Sequence, residues 1–441
     1  MIRPLIPLAC ACASLTAAAA APTTRPNIVV IVSDDQGYAD AGFQGSPVVP
    51  TPNLDRLAGE GVRCTSGYVT APVCSPSRAG LMTGRYQQRF GHHNNLVKTA
   101  ERDHMPAEET TLAEVLGKAG YHAAMVGKWH LGNPDGTRPY ERGFKEFFGF
   151  PSGGHDYFKN NPGQRAVRDG DYTARIERNG VGVKVPGYLT DALGKEAARV
   201  VREQKGHPFF LYLAFNAPHT PTQAPAELIR AMPVSLEGRE RRTYAAQIAS
   251  MDSAIGRMLD ALQETGADKD TLIVFFSDNG GANHAYYDNT PLRAHKGTLY
   301  EGGVRVPFLA KFPGRIPAGT TCATPVTALD VFATACAAAG VESPKTHGRL
   351  DSRDMLPVLA GKSAKPAHEA LFWHFPSFGK AVREGDLKLV IPKKGPPELY
   401  DLAADITEKK DLAAARPGDV ERLQKRLAEW EAGNIAPRWP Q

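Results

Sequence analysis

Residues 74–85 read Cys74-Ser75-Pro76-Ser77-Arg78-Ala79-Gly80-Leu81-Met82-Thr83-Gly84-Arg85. Proline is favoured in the first turn of a helix, so Pro76 predicts a helix that starts here. Cys74 then lies at the helix N-terminus, where free N–H groups and the helix dipole favour negative charge. Arg78 follows one helical turn later and can reach the same place. This arrangement suits a nucleophile that attacks an anionic group such as a phosphate or a sulfate.

Buried strands are predicted by apolar runs without polar alternation, which are typical of parallel strands covered on both faces. Such runs occupy residues 27–33, 121–126, 208–215 and 271–277. Helical patterns occupy other stretches, at residues 111–119, 189–203 and 241–265. The alternation of strands and helices predicts an α/β fold with a large, mostly parallel sheet flanked by helices.

The pattern changes after residue 365. Short strand candidates follow closely at residues 371–375, 380–384, 387–391 and 398–400, and a last helix is expected at 419–432. These elements predict a small C-terminal antiparallel sheet with a helix, packed on the main domain. We therefore divide the chain into a leader (1–20), a catalytic domain (21–365) and a C-terminal α+β subdomain (366–441). Residues 133–187, rich in Gly, Pro and aromatic residues, are expected to form a long excursion over the site.

The N-terminus has the pattern of a secretory signal peptide. Arg3 precedes an apolar stretch that ends in small residues near Ala20, and this stretch is short for a stable membrane anchor. We expect an exported protein, periplasmic or extracellular, with no stable membrane anchor. Processing by signal peptidase I and lipoprotein processing at Cys10 both stay open. A formal charge of +5 over 441 residues is too small and too dispersed to indicate nucleic acid as a partner.

Polar residues follow four of the predicted strands. They are Asp34 and Asp35, Lys128 and His130, His219, and Asp278 and Asn279. Each alone could serve as an ordinary helix cap, but together they are poorly explained by capping. Ligands bind at the carboxyl ends of parallel strands, so we expect these groups to converge there. The carboxylate and amide oxygens favour a hard cation over zinc, and Ca²⁺ over Mg²⁺, which usually keeps several waters.

The chain resembles the formylglycine-dependent type I sulfatases of the alkaline phosphatase superfamily. Residues 74–85 match the signature C-x-P-x-R followed by x-x-L-x-T-G-R. The resemblance spans about residues 26–313 through further motifs, which are P-N-I-V-x-I-x-x-D-D, G-K-W-H-L-G, A-P-H-x-P, S-D-N-G and K-G-x-x-x-E-G-G-x-R-V-P. It implies that a formylglycine-generating or sulfatase-maturing enzyme oxidises Cys74 to formylglycine (3-oxoalanine), whose hydrate is the nucleophile.

The resemblance also implies roles for the residues at the strand ends. Asp34, Asp35, Asp278 and Asn279 fall on the calcium ligands, and the modified Cys74 completes the shell. Arg78 and Lys128 hold the hydrate and the sulfate, while His219 and Lys296 contact the sulfate and the leaving oxygen. In this mechanism the hydrate attacks sulfur, His219 with Lys296 protonates the departing alcohol, and His130 removes a proton so that sulfate is expelled.

The substrate is less constrained by the sequence. Loop residues that are candidates to line the pocket are His155, Asp156, His284, Arg293 and His374. Each is equally well explained as a polar side chain that faces solvent, but polar loops and an exported enzyme favour a sulfated carbohydrate. Two other functions compete: a phosphomonoester or phosphodiester hydrolase of the same superfamily, and a non-catalytic carbohydrate-binding relative.

Four cysteines remain after the leader. Cys322 and Cys336 can pair in an oxidising compartment and leave Cys64 free, or all three can be buried thiols. The sequence leaves both alternatives open.

Overall fold

The centre of the protein is a ten-stranded sheet. The computed structural model describes residues 25–96, 103–160, 172–173, 175–343 and 348–439. The strands of the sheet are, in chain order, β1 (Asn27–Ser33), β2 (Val62–Cys64), β3 (His122–Lys128), β4 (Glu146–Phe150), β5 (Glu177–Arg178), β6 (Val181–Gly182), β7 (Phe209–Ala214), β8 (Thr271–Ser277), β9 (Phe308–Lys311) and β10 (Thr320–Cys322).

In space the strands follow the order β10-β2-β9-β8-β1-β7-β3-β4-β5-β6. The five central strands, from β8 to β4, run parallel. On one side of this centre, β9 is antiparallel to its two neighbours, β8 and β2. On the other side, β5 is antiparallel to β4. The prediction of a mostly parallel sheet is confirmed for the centre, while the edges are mixed.

Helices cover both faces of this sheet. They are α1 (Pro52–Gly59), α2 (Cys74–Thr83), α3 (Leu112–Lys118), α4 (Leu189–Glu203), α5 (Ala226–Ala231), α6 (Arg239–Thr265), α7 (Glu301–Val304), α8 (Val331–Ala338), α9 (Leu356–Leu359) and α10 (Pro417–Glu431), of which α10 belongs to the C-terminal part. Strand β1 shows why both faces need cover. Ile28 and Val30 point into one apolar core, and Val29 and Ile31 point into the other. A strand that buries both sets has no polar alternation, as its sequence indicated.

The helix that carries Cys74 is buried along its whole length. Helix α2 begins at Cys74 itself and ends at Gly84, whose φ of 63° is the left-handed conformation that glycine adopts without strain. All ten residues of α2 are buried, including Arg78. The prediction of a helix start at this point is confirmed, and the helix delivers Cys74 to the carboxyl edge of the sheet.

The C-terminal part forms a second, four-stranded antiparallel sheet. Its strands are β11 (Ala370–Phe375), β12 (Gly379–Glu384), β13 (Leu387–Pro392) and β14 (Glu398–Asp401), in that order in space. Helix α10 packs on it through Leu423, Leu427 and Trp430. The small antiparallel sheet with one helix is confirmed. The domain boundary at residue 365 stays a prediction.

The expectation of a long excursion over residues 133–187 is wrong for two segments that belong to the main sheet. Strands β5 and β6 lie at its edge, and strand β4 pairs parallel with β3. Its sequence Glu-Phe-Phe-Gly-Phe is short and interrupted by a glycine, so its pattern did not separate it from the surrounding aromatic loops. Gly149 allows close contact, because a Cβ there would lie 2.0 Å from the carbonyl oxygen of Gly127.

The cysteines within the described residues are free thiols. Cys64, Cys74, Cys322 and Cys336 are all buried. Of the two alternatives, the structure has the buried thiols, and Cys322 lies opposite Cys64 on adjacent strands rather than beside Cys336. The predicted leader lies outside the described residues. Within those residues, no helix has the length and apolarity needed to cross a membrane.

Candidate active site

Four parallel strands end at one place and deliver the polar groups. Asp34 and Asp35 follow β1, Lys128 ends β3, His219 comes shortly after β7, and Asp278 follows β8. The backbone ties these ends together, because the Asp278 N–H donates to the carbonyl of Ser33 at 3.0 Å. The predicted convergence at the carboxyl edge is therefore present in the structure.

Cys74 lies in the middle of these groups. Its Sγ is 3.3 Å from Lys296 Nζ, 3.4 Å from Asp34 Oδ1 and 3.7 Å from Asp35 Oδ1. Burial is the main reason that the pKa of the Cys74 thiol is raised well above its usual value, although Lys128 and Lys296 oppose the effect. The encoded side chain is thus a neutral thiol at neutral pH.

Three cations of the cluster are each paired with a carboxylate. Lys128 Nζ lies 2.7 Å from Asp34 Oδ2, and Lys296 Nζ lies 2.7 Å from Asp35 Oδ1. Arg78 contacts Asp278 Oδ2 at 2.7 Å. Apart from a partly exposed Lys296, these side chains are almost completely excluded from water. A buried charge is tolerated only with such partners, so the opposite charges hold one another in place.

The electrostatics of the cluster keep its cations charged. Burial lowers the pKa of Lys296, but the Asp35 carboxylate outweighs it and holds that pKa well above its usual value. Burial likewise raises the pKa of Asp35, and Lys296 and His219 outweigh this effect so that the carboxyl stays ionised. The site therefore presents fixed positive charge beside Cys74.

Two histidines complete the cluster. His219 donates from Nδ1 to the Thr220 carbonyl at 2.7 Å, which leaves Nε2 facing Asp35 Oδ2 at 3.5 Å. Burial lowers the pKa of His219 to about 3 and lowers that of His130 well below its usual value. His130 has a φ of 56° and Asp35 a φ of 63°, a left-handed conformation that costs energy for residues other than glycine. Such strain is typical of functional sites.

The donor set fits a hard cation. Ligand atoms of Asp34, Asp35, Cys74 and His219 all lie within 4.8 Å of one another. Asn279 donates from Nδ2 to Asp35 Oδ1 at 2.8 Å, so its amide is held with Oδ1 turned away from that bond. That Oδ1 is buried and has no hydrogen-bond partner in the described part of the chain. A buried amide oxygen without a partner, beside two carboxylates, is the kind of atom that a Ca²⁺ ion would satisfy.

A cavity of about 380 Å³ opens over Cys74. Its lining combines the cluster with loop residues, namely Asp35, Cys74, Asn95, Leu96, His130, Gly153, His219, Thr220, Ala282, His284 and Lys296. The volume is sufficient for a small polar ligand. The sulfur, both histidines and Lys296 all line this space, so a ligand in it contacts these four side chains together.

Comparison with known proteins identifies the family. The sulfatase family model matches residues 26–341, and the model of the N-sulphoglucosamine sulphohydrolase C-terminal region matches residues 283–432. The chain belongs to the sulfatase family. It is therefore a sulfuric ester hydrolase with the fold of the alkaline phosphatase superfamily.

Individual relatives agree with this assignment. The sulfatase is 37% identical over 373 residues to the N-acetylgalactosamine-6-sulfatase of Rattus norvegicus, covering 80% of this chain and 69% of the relative. It is 30% identical to arylsulfatase J of Mus musculus, covering 96% and 78%. The solved structure of Ps i-CgsB in complex with k-i-k-neocarrahexaose has 37% identity, a TM-score of 0.88 and coverage of 94% and 95%.

The predicted substrate-binding residues of the sulfatase fall into different places. His284 lines the cavity and stacks on Tyr286 at 5.1 Å. His155 is buried and is not among the lining residues; its Nδ1 donates to the Asp156 carbonyl, and Asp156 Oδ1 accepts from the backbone of Phe158. Of these three, only His284 is exposed at the cavity surface.

The other two predicted substrate residues contact the C-terminal sheet of the sulfatase. Arg293 donates to Tyr400 Oη at 2.7 Å and to the Glu408 carbonyl at 3.0 Å. His374 lies 3.2 Å from Glu431 Oε1. Neither is among the residues that line the cavity within the described chain. The Arg293 contacts connect the loop that carries Lys296 to the second sheet, whereas His374 belongs to strand β11 of that sheet.

Sequence reasoning missed a set of residues between Gly91 and Leu96. Asn95 and Leu96 line the cavity of the sulfatase, and His92 contacts Ser75 beside the nucleophile position. The run His92-His93-Asn94-Asn95 was visible as a cluster of polar side chains. No periodicity or motif linked it to Cys74, because the contact is made across the fold.

Proposed function

We propose that this sulfatase removes sulfate from carbohydrates through a formylglycine formed at Cys74, with Ca²⁺ held by the carboxylates around it. The observation that carries the proposal is the surroundings of the Cys74 sulfur: a helix N-terminus, Lys296 at 3.3 Å and Asp34 at 3.4 Å, at the base of an open cavity. The raised pKa of the buried thiol argues against a simple thiolate nucleophile. A maturing enzyme that oxidises Cys74 would supply a hydrated aldehyde that attacks sulfur.

Calcium is supported by the donor atoms. Asp34, Asp35 and Asp278 supply carboxylates, and Asn279 supplies the buried amide oxygen that lacks a partner among the described residues. When bound, the ion would add positive charge where charge develops on the sulfate oxygens. His219 lies within the same group of side chains, but a hard cation takes oxygen ligands, so its Nε2 stays available for proton transfer.

The basic residues hold the negative charge of the substrate. Arg78 and Lys128 are fixed by Asp278 and Asp34, so they need no rearrangement to stabilise a sulfate at Cys74. Lys296 is charged and faces the cavity, so its ammonium group can donate a hydrogen bond to the departing oxygen and stabilise the charge that develops there.

The two histidines are uncharged before substrate binds. An anionic ester beside His219 would raise its pKa, so that Nε2 takes up a proton and can pass it to the leaving alcohol. His130 stays neutral because of burial and its cationic neighbours, which suits a group that accepts a proton when sulfate is expelled.

A carbohydrate substrate is supported by the names of two relatives. One is an N-acetylgalactosamine-6-sulfatase, and another was solved with k-i-k-neocarrahexaose. The rim of the cavity, with Asn95, Thr220 and His284, is polar as expected for sugar hydroxyls. Screening inorganic sulfate release over a panel of defined sulfated saccharides tests this proposal. Release from one or more members is expected, whereas activity on aryl sulfates alone would contradict it.

Calcium is expected to stabilise the protein and Asn279→Ala to weaken that effect. Binding at a hundredfold excess over Kd adds about 2.7 kcal/mol, so the melting temperature of the matured wild type should rise with added CaCl₂ and fall with chelator. Loss of one oxygen ligand is expected to raise the calcium Kd by about tenfold or more, ~1.4 kcal/mol. Calorimetric titration with CaCl₂ measures it.

The control for this titration is Asn434→Ala, which removes an amide that accepts from Arg89 in the C-terminal part. It should leave the calcium Kd unchanged. A wild type whose melting temperature ignores calcium, or an Asn279→Ala variant with the wild-type Kd, would contradict the assigned site.

We also propose that the enzyme is exported. The support is the signal-peptide pattern of residues 1–20, and sulfated polysaccharides are met outside the cytoplasm. Detection of the mature chain in a periplasmic or extracellular fraction checks this, and retention of the full-length chain in the cytoplasm would contradict it.

A further inference from the structure

Residues 435–439 lie along the loop that follows the Cys74 helix. The Ile435 N–H donates to the Gln88 carbonyl at 3.1 Å, and the Arg438 N–H donates to the Gly91 carbonyl at 2.9 Å. His93 Nε2 lies 3.0 Å from the Ile435 carbonyl oxygen. The 435–439 segment is thus hydrogen-bonded at several points to the 88–95 segment, although the two are far apart in sequence.

Trp439 makes the last of these contacts, nearest the active site. Its indole Nε1 donates to the Asn95 carbonyl at 3.2 Å, and its ring packs edge-on against His92 with centroids 4.7 Å apart. Trp439 is only 6% exposed. A buried, hydrogen-bonded indole both packs against its neighbours and fixes the position of the group that accepts its N–H.

His92 and Asn95, which contact Trp439, are also hydrogen-bonded to Ser75, the residue next to Cys74. The Ser75 N–H donates to Asn95 Oδ1 at 2.9 Å. The Ser75 hydroxyl lies 2.7 Å from the His130 carbonyl oxygen and 2.7 Å from His92 Nε2. A carbonyl can only accept, so the hydroxyl donates to His130 and must accept from an N–H on His92 Nε2.

This series of contacts, from Trp439 through His92 and Ser75, ends at the strained backbone of His130. His130 has a positive φ, and its carbonyl is held by Ser75. Conformations of this kind persist only when their surroundings determine them. A shift of His92 would remove the partner of Ser75 and loosen both the start of helix α2 and the backbone of His130.

We propose that Trp439 is a positioning residue of the active site, which acts through His92, Asn95 and Ser75 on Cys74 and His130. The inference rests on the proposed function for its kinetic part only. Trp439 does not line the cavity, whereas Asn95 does, so the effect on catalysis is exerted through the loop.

The test compares Trp439→Ala with Trp430→Ala. Trp430 is a matched control, since it is 7% exposed and lies in the same C-terminal part, but its ring packs on Phe372, Tyr86 and Arg89 rather than on His92. With formylglycine content matched by mass spectrometry, Trp439→Ala should lower kcat by roughly 10- to 100-fold, the scale of a misplaced catalytic group. Trp430→Ala should lower the melting temperature while keeping kcat. Equal kcat losses would overturn the proposal.

A double variant tests the route. If Trp439 acts through His92 and the Ser75 hydroxyl, Trp439→Ala should lower kcat in the wild type but much less in a Ser75→Ala background, which keeps the bond from the Ser75 N–H to Asn95. The same factor in both backgrounds would overturn the route through this hydroxyl. Trp439→Phe keeps a ring against His92 and loses only the bond to Asn95, so KM is expected to rise with kcat near the wild-type value. A kcat loss as large as that of Trp439→Ala would contradict this.

Hydrogen exchange separates this proposal from the proposed function. Amides of residues 92–96 should exchange faster in Trp439→Ala than in Trp430→Ala, whatever the substrate is. Unchanged exchange at these amides overturns the positioning role. A matured wild type that releases no sulfate overturns the proposed function instead.

Discussion

Replacing Cys74 with alanine is expected to reduce sulfate release to background. Loss of a nucleophile that acts with a set of supporting groups costs on the order of 10⁶-fold in kcat. The substitution removes only the Sγ, and its neighbours keep their partners, Asp35 with Lys296 and Asp34 with Lys128, so the fold should persist. The measurement is inorganic sulfate released from a sulfated saccharide that the wild type hydrolyses.

Cys336→Ala is the control for this substitution. Cys336 is also a fully buried thiol, but it lies in helix α8 within the apolar core. We expect this variant to keep wild-type kcat with a modest loss of stability. Retained sulfate release by Cys74→Ala at more than one-thousandth of the wild-type rate would remove Cys74 from the mechanism.

Replacing Lys388 with methionine is expected to cost about 3–5 kcal/mol of stability, since it leaves buried charge uncompensated. Lys388 Nζ lies 2.8 Å from Glu301 Oε1 and 2.9 Å from Glu408 Oε1, and none of these side chains is exposed. Burial raises the pKa of Glu408 to about 7 even with Lys388 present. The ion pair between Lys388 and Glu301 joins β13 to helix α7, which follows the loop that carries Lys296. A lower melting temperature and a lower kcat are therefore expected together.

Lys380→Met is the matched control, because Lys380 forms a partly exposed pair with Glu431 in the same sheet. Exposed pairs contribute about 0–1 kcal/mol, so the melting temperature should hardly change. Adding Glu408→Gln to Lys388→Met removes one uncompensated carboxylate and should recover part of the loss. Equal melting temperatures for the Lys388→Met and Lys380→Met variants would contradict the role of this buried group.

The convergence of the site was predictable because it follows from a general property of parallel sheets. Asp34, Asp278 and His219 follow buried apolar strands, and strand ends in such a sheet meet at one edge. Residues that reach Cys74 from distant loops could be predicted only through the family resemblance. Lys296 sits in a loop, and no local pattern in the sequence indicates that it reaches Cys74.

The predictions weakened where tertiary contacts decide the role of a side chain. Arg293 is a charged loop residue of the kind that binds an anionic substrate. In the structure, Tyr300 and Tyr400 lie against its guanidinium and hold it toward the C-terminal sheet. Strand β4 was missed because its short aromatic sequence resembles the loops around it. Trp439 and His92 become connected to Cys74 only when the chain is folded.

The measurement that tests the central claim most directly is the dependence of sulfate release on the formylglycine content at residue 74. Preparations with different maturation levels, from cells with and without a maturing enzyme, are digested and the peptide containing residue 74 is quantified by mass spectrometry. We expect kcat per total protein to rise in proportion to the formylglycine fraction and to vanish with it. Wild-type turnover by a chain that carries only unmodified Cys74 would contradict the account.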